Sequence, residues 1–175
     1  MKSGRFTVRR ACAADVDSIV RMKAQLAAAE DATFASRWTR ADWLREGVGE
    51  GARFRVYVAE CDAVNVGMAV YSERAYTGWH EPALYIQDLF VDLEYRRHGI
   101  GRALLARVAA DAVVLRSPMI ELTMHSSNPA CEFYRRVGFE PIDHCAHYVA
   151  AGSGLAILGA EGGSRSPRSE RHTPL

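Results

Sequence analysis

The sequence predicts one α/β domain in which strands and helices follow one another along most of the chain. Three stretches carry this prediction: an alternating strand over 53–58, an apolar strand over 84–91 that leads into a glycine-containing loop and a helix, and another helix over 128–138. The chain has 175 residues, of which 49% are hydrophobic, so it can bury a sizeable core. We expect the domain to span residues 1–160.

The overall charge and the ends of the chain limit the classes of partner. The formal net charge is +1, so there is no basic excess of the kind that binds nucleic acid. The start of the chain has no apolar signal region, and the apolar runs are too short to span a membrane. Residues 161–175 are polar, basic and rich in serine, proline and glycine, which predicts a disordered tail. We expect a cytoplasmic protein without nucleic-acid or membrane partners.

A short strand over 6–9 is predicted to lead into a first helix. Asp15 can cap this helix, which should run to about residue 29. One face of it carries an apolar stripe with a lysine in it, as expected for a half-covered helix. The members of this stripe are Val16, Ile19, Val20, Lys23 and Leu26.

A second helix and a hairpin are predicted next. Thr39 and Asp42 have the spacing of a capping box, and Gly47 can end the helix. Apolar and polar residues then alternate, which predicts a strand with one solvent-exposed face. The apolar members are Phe54, Val56 and Val58, and the alternating ones are Arg53, Arg55 and Tyr57. A turn over 61–65 and a strand over 66–72 should complete the hairpin, and a loop over 76–82 leads to the central strand.

The loop after the central strand has the pattern Arg96-x-x-Gly99-x-Gly101 and opens a helix that should reach about residue 115. Backbone N–H groups at a helix start, next to arginines, can bind a pyrophosphate, and glycine lets the backbone come close to it. The spacing is that of neither a P-loop nor a dinucleotide fingerprint. Taken alone, the loop could equally be a surface turn that caps a helix.

The last third of the chain predicts a strand over 119–125, a helix and further strands. Asn128 can cap the helix, Pro129 suits its first position and Gly138 suits its end. A further strand is expected over 142–150 and a short last one over 154–158.

The two motifs together resemble those of the GNAT superfamily of N-acetyltransferases. That superfamily has an acyl-CoA loop of the form Gln/Arg-x-x-Gly-x-Gly/Ala, followed by a helix with Ala-x-x-Phe-Tyr-x-x-x-Gly-Phe, the pattern of residues 130–139 here. Within it, the chain is similar to the diamine (spermidine/spermine) and thialysine acetyltransferases over 19–30, 39–47 and 84–91.

This resemblance implies a mixed, mostly antiparallel sheet of roughly six to seven strands flanked by four helices, with splayed central strands. It also implies acetyl-CoA as co-substrate, bound where the strands over 84–91 and 119–125 part. The residues that would bind it are Leu89, Phe90, Val91, Arg96, Arg97, His98, Gly99, Ile100, Gly101, Arg102, Ser127, Asn128 and Ala130.

Tyr134 matches the tyrosine that, in the family, protonates the sulfur of the departing CoA. A phenol with its ordinary pKa of about 10 is protonated at neutral pH and suits this role. The other reading of Tyr134 is a core aromatic residue beside Phe133. We expect it to be the general acid.

The proton acceptor is where the chain departs from these relatives, because their central-strand glutamate is Gln87 here. An amide cannot take up a proton at neutral pH. Asp88 is adjacent, but strand alternation is expected to direct it to the opposite face. Glu30, Glu121 or a water chain held by Gln87 could take the proton. The resemblance assigns substrate binding to Glu30 and Gln87.

These features predict an acetyl-CoA-dependent N-acetyltransferase that acts on the primary amine of a small molecule, with a polyamine or a lysine-like amino acid favoured. The alternatives are an aminoglycoside-type or protein amine acceptor, or a non-catalytic acyl-CoA-binding module. The resemblance also implies a possible homodimer. No metal is expected, because none of the four cysteines lies at a zinc-ligand spacing.

Overall fold

A computed structural model describes residues 5–29, 37–78, 80–142, 153 and 155–157. The chain divides into two compact units, Met1–Cys131 and Glu132–Leu175. The described residues of the first unit form a five-stranded sheet and three helices, and the second unit begins inside a fourth helix. The predicted disordered tail lies outside the described residues.

The helices and strands follow in this order: β1 (Phe6–Arg10), α1 (Val16–Ala29), α2 (Arg40–Asp42), β2 (Arg55–Cys61), β3 (Val64–Arg74), β4 (Ala83–Val91), α3 (Ile100–Val114), β5 (Ile120–Glu121) and α4 (Cys131–Arg136). Short turns accompany them: 3₁₀ turns at Ala13–Asp15 and Leu93–Tyr95, and a π-helical turn at Trp43–Gly47. The strands lie in the order β1-β2-β3-β4-β5, antiparallel except for the parallel pair β4–β5. This is the mixed, mostly antiparallel α/β sheet that was predicted, although the described residues form five strands and not six to seven.

Helix α1 covers one face of the sheet with an apolar stripe that differs slightly from the predicted one. Val16, Ile19 and Met22 are fully buried against strands β2–β4. Lys23, which the periodicity places in the stripe, lies at its margin and is only partly buried. Burial of the three apolar side chains sets the rotation of α1 on the sheet.

The prediction that Asp15 caps α1 is wrong. It ends the 3₁₀ turn that precedes the helix, and its carboxylate accepts a hydrogen bond of 2.8 Å from the backbone N–H of Cys12. Arg9 donates to both Asp15 oxygens, at 2.7 and 2.9 Å. Asn65 donates to Asp15 at 2.8 Å, so this buried carboxylate joins β1, β3 and the start of α1.

The second helix begins as predicted, with a capping box between Thr39 and Asp42. Hydrogen bonds from the side chain and backbone of Thr39 lower the pKa of Asp42 to about 2. The helix ends at Gly47 for a reason other than a left-handed cap. A Cβ atom at Gly47 would lie 2.4 Å from Cε3 of Trp43, so glycine is required by the packing of that indole.

Strand β2 is buried on both faces, so the predicted solvent-exposed face is wrong. Tyr57 is only 3% exposed, because α3 covers this face of the sheet. Its ring stacks on that of Tyr71 at 6.1 Å, and both hydroxyls donate to Asp111 of α3. Burial and the Asp111 carboxylate raise the pKa of Tyr71.

Helix α3 lies close to the sheet at Gly67. A Cβ atom there would lie 3.0 Å from the carbonyl oxygen of Phe90, and 3.3 and 3.4 Å from the side chains of Ile100 and Leu104. Glycine at this position therefore lets the first turns of α3 pack directly on β3.

Other predicted boundaries are close to those observed, with some corrections. The hairpin turn is tight, since Asp62 and Ala63 both have positive φ, at 49° and 61°. Strand β5 is shorter than the predicted 119–125. Residues 155–157 are helical rather than a last strand, and the strand predicted over 142–150 lies, apart from Ile142, outside the described residues.

Among the helices that the structure describes, none is long and apolar enough to cross a membrane. The free cysteines in this part of the chain are Cys12, Cys61 and Cys131.

Replacing Gly47 by alanine should destabilise the fold by about 1–3 kcal/mol, because Trp43 must shift within a packed aromatic cluster. The matched control is Gly51→Ala, where an added Cβ meets nothing within 4 Å and stability should change by less than about 1 kcal/mol. Urea unfolding of the two variants measures the difference. Equal midpoints would show that Trp43 moves aside without cost.

Replacing Asp15 by asparagine should cost about 1–3 kcal/mol, because Arg9 loses its partner and a buried hydrogen-bond network is broken. The hydrogen bonds from Arg9 hold the pKa of Asp15 well below its usual range. The difference in unfolding free energy between the wild type and Asp15→Asn should therefore have its full size above about pH 4, the pKa of an unfolded aspartate. It should shrink as the pH falls below that value.

Asp17→Asn is the control for this second experiment. The Asp17 side chain is 76% exposed in its pair with Arg40, so its loss should change stability by less than about 0.5 kcal/mol. A difference between wild type and Asp15→Asn that grows below pH 4 would contradict the assignment.

Candidate active site

The central strands part after two paired positions. Strand β4 pairs with β5 only at Leu84↔Ile120 and Tyr85↔Glu121. From Ile86 to the end of β4, the described residues place no strand on this side. The predicted splay between the central strands is therefore present, and it opens earlier than the predicted length of the second strand implies.

A bulge in β4 lies directly after the last paired position. In the pairing of β3 with β4, Val70 is opposite Asp88 and Tyr71 is opposite Ile86, so Gln87 is an extra residue. A bulge bends its strand and can terminate pairing. The bulge at Gln87 thus accounts for the parting of β4 from β5.

The open side of β4 offers backbone groups. The backbone N–H of Asp92 donates to the carbonyl of Val66 at 2.8 Å. In an antiparallel pair, the backbone groups of every second residue point to the same neighbouring strand, so those of Phe90 also point to β3. The backbone groups of Leu89 and Val91 point to the other side. The carbonyl of Val91 accepts a bond of 2.9 Å from Nε of Arg96. Of the three predicted backbone partners, Leu89 and Val91 therefore face the opening.

The glycine loop (residues 96–102) turns sharply into α3. Arg97 and Gly99 both have left-handed backbone conformations, with φ of 66° and 82°. Gly99 is the N-cap, and no side chain caps the helix there. The first N–H groups of α3 thus meet an exposed basic loop, an arrangement that suits an anion.

The loop residues have different roles in the structure. Arg97, His98 and Arg102 are exposed, whereas Ile100 is buried under β3 and so contributes to packing. Arg96, predicted as a cofactor ligand, is bound through Nε to the end of β4.

The segment before α4 has its predicted cap. Asn128 accepts a hydrogen bond of 2.9 Å from the backbone N–H of Ala130. The hydroxyl of Ser127 lies 2.7 Å from Nδ1 of His125. In the second unit, Gly138 has a φ of 102°, and the N–H of Phe139 bonds back to Tyr134, so the helix ends as predicted.

Tyr134 is half-buried in the second unit. Its ring makes edge contacts with Phe133 at 5.2 Å and with Phe139 at 5.5 Å. These contacts fix the orientation of the ring, and its role as an acid stays a prediction. Glu30, the other predicted substrate ligand, lies outside the described residues.

The bulge corrects the predicted direction of Asp88. Residues opposite one another in a sheet share a face, so Asp88 lies with Val70 on the face covered by α1. Gln87 reaches the same face, where its Nε2 donates to Oγ of Ser72 at 3.1 Å. The extra residue breaks the alternation, and both side chains therefore point the same way.

Asp88 binds Lys23 of α1, with 2.6 Å between Oδ1 and Nζ. The two side chains are 12% and 23% exposed. We call Lys23, Ser72, Gln87 and Asp88 the bulge surface. The sequence analysis did not assign Lys23 a role, although its position within the apolar stripe of α1 was a signal that it has a partner.

Two other carboxylates near this opening are also paired. Glu121, predicted as an alternative base, accepts hydrogen bonds from Tyr76 at 2.7 Å and Arg74 at 2.9 Å. Asp92, just after β4, is paired with Arg21 at 3.1 Å. The described residues contain no group of three or more side chains suited to hold a metal ion.

Comparison with known proteins agrees with this geometry. Residues 52–141 match a family model described as an acetyltransferase (GNAT) domain. A human protein, spermidine/spermine N(1)-acetyltransferase-like protein 1, is 34% identical over 115 residues, which is 62% of this chain and 16% of that protein. The thialysine N-epsilon-acetyltransferase of Sus scrofa is 27% identical over 140 residues, or 75% of this chain and 82% of that protein.

Solved structures share the fold. An integron cassette protein from the mobile metagenome of V. cholerae has a TM-score of 0.73 and 24% identity, covering 88% of this chain and 97% of its own. An aminoglycoside acetyltransferase from an uncultured soil metagenomic sample has a TM-score of 0.70 and 18% identity, covering 83% and 95%. Because the family model matches more than half of this chain, the chain belongs to the GNAT acetyltransferase family, and its enzyme class is that of the acyltransferases.

Proposed function

We propose that this protein is an acetyl-CoA-dependent N-acetyltransferase that transfers an acetyl group directly to the primary amine of a small molecule. The observation that carries the proposal is the open side of β4 beside the uncapped start of α3. An extended pantetheine arm can pair with Leu89 and Val91 as an added strand would. The N–H groups of the glycine loop, with Arg97 and Arg102 nearby in the sequence, suit the pyrophosphate.

The reaction needs the two reactants to be held together, one proton removed from the amine and one proton given to the thiolate. Tyr134 is the proposed donor, on the strength of its position in the family motif. Asp88, Glu121 and Asp92 are each bound to a cation, so none of them is favoured as the base. We assign removal of the amine proton to water held at Gln87.

A small amine is the favoured acceptor, and a polyamine or a lysine-like amino acid is the starting hypothesis. The names of the two protein relatives, a spermidine/spermine-type and a thialysine acetyltransferase, support this choice. The aminoglycoside acetyltransferases among the structural neighbours are 16–20% identical to this chain and support the fold only.

The test is release of free thiol from acetyl-CoA by the purified protein with a panel of amines: spermidine, putrescine, lysine, thialysine, an aminoglycoside and a lysine-containing peptide. Turnover with one of the small amines is the expected result. Tight binding of acetyl-CoA without turnover of any amine would overturn the proposal in favour of a module that only binds the cofactor.

Tyr134→Phe should lower kcat by about a hundredfold or more, because the thiolate loses its proton donor while the ring contacts remain. Tyr85→Phe, which removes a hydroxyl from a ring that packs under Arg74, is the matched control and should keep its rate. Steady-state kinetics and the affinity for acetyl-CoA are measured for both. Unchanged turnover in Tyr134→Phe would refute the assigned role.

Gly99→Ala should weaken binding of acetyl-CoA by about tenfold, because a left-handed conformation costs a residue with a Cβ about 1–2 kcal/mol. The control is Gly78→Ala, at which an added Cβ also meets nothing within 4 Å. Titration calorimetry with acetyl-CoA compares the two variants. If both bind equally well, the glycine loop is not the pyrophosphate site.

A further inference from the structure

The bulge surface carries no net negative charge. Gln87 is neutral, and the one carboxylate on this surface, Asp88, is already paired with the ammonium group of Lys23 at 2.6 Å. The cation belongs to the protein itself, so it is present whether or not an acceptor is bound. A surface built this way differs from an acidic one that would attract a polycation.

The position of Lys23 is set by the core. Met22, its neighbour on α1, is fully buried with Val16 and Ile19, which fixes the rotation of the helix. Lys23 consequently projects at the margin of the stripe, where it reaches β4 at the bulge. Both partners keep some exposure, so the pair is not sealed in the core. Asp88 follows Gln87 in the chain and lies on the same face of the sheet because of the bulge, so the pair lies beside Gln87.

We propose that Lys23 determines the acceptor class. The site would take amines with a single ammonium group and an uncharged or anionic remainder, such as amino-acid-like monoamines, and would discriminate against polyamines. This inference rests on the proposed function and narrows its acceptor.

The physical reason is that a second ammonium near Asp88 must compete with Lys23 for the carboxylate. The ammonium of Lys23 also repels it, because the two groups carry the same charge. The Lys23 ammonium has three donors, of which one is directed at Asp88. Its other donors, with the hydroxyl of Ser72, suit a carboxylate or hydroxyl on the acceptor. The same ion pair thus disfavours one class of acceptor and favours the other.

The test compares three amines of equal length: cadaverine, aminopentanol and aminopentanoate. Each has five carbons and a primary amine at one end. The other end carries an ammonium in cadaverine and a hydroxyl in aminopentanol, and in aminopentanoate the fifth carbon is the carboxylate. For the wild type, we expect kcat/KM to be lowest for cadaverine. A wild type that prefers cadaverine to both other amines would overturn the inference.

Lys23→Met keeps an unbranched side chain of good helix propensity and removes the charge. It should raise kcat/KM for cadaverine by about tenfold, mainly through KM, and lower it for aminopentanoate. In the double variant Lys23→Met with Asp88→Asn, the gain for cadaverine should disappear, because no carboxylate is left to attract the second ammonium. A gain that persists would mean that Lys23→Met merely creates space.

Arg21→Met is the matched control on the same helix. Arg21 pairs with the carbonyl of Asn65 and with Asp92, rather than with Asp88. Asp92 lies beyond the end of β4, four residues after Asp88 and outside the bulge surface, so the preference among the three amines should not change. Thermal unfolding of every variant checks that the fold is retained. The same shift in Arg21→Met as in Lys23→Met would show that the overall charge of α1, and not the Asp88 pair, sets the preference, which would overturn the inference.

Calorimetric binding of the amines to the complex with CoA separates this inference from the proposed function. If Lys23→Met reverses the order in which the three amines bind, and neither the wild type nor any variant releases thiol from acetyl-CoA, the inference is supported and the enzyme activity is refuted. Thiol release with an unchanged order of preference in Lys23→Met would do the opposite. Absence of both binding and turnover with all three amines would overturn the two together.

Discussion

The geometry of the candidate site depends on one extra residue in strand β4. The bulge at Gln87 follows directly after the last pair between β4 and β5, and a bulge both bends its strand and stops its pairing. The backbone of Leu89 and Val91 is left open on that side as a result. The same bulge brings Asp88 onto the face of Gln87, so the opening and the side chains beside it have a single structural cause.

Helix α3 supplies the other half of the candidate site, and its position depends on close contact with the sheet. Gly67 lets Ile100 and Leu104 come within van der Waals distance of β3, and the partly buried Asp111 binds two tyrosine hydroxyls at the other end of the helix. A helix held at both ends keeps its N-terminus in a fixed place. The N–H groups that follow Gly99 are therefore already oriented before any ligand binds.

Features that depend on neighbouring residues in the chain could be predicted from the sequence, whereas those that depend on distant ones could not. The capping box at Thr39, the left-handed Gly138 and the helix start at Gly99 are local, and each is present as predicted. The burial of Tyr57 depends on α3, which lies far along the chain. The bulge that redirects Asp88 arises from pairing with β3, and alternation within one strand gives no sign of it.

The charge of the bulge surface follows from how α1 packs. A helix has about 3.6 residues per turn, so an apolar stripe along it leaves positions at its margin that are only partly covered. Lys23 occupies such a position, opposite the carboxylate of Asp88. Rotating the helix to bury Lys23 would expose Met22, which is fully buried, so the core opposes any other placement of the ammonium. The electrostatics beside Gln87 are in this sense a consequence of hydrophobic packing, and a change of helix register would alter both.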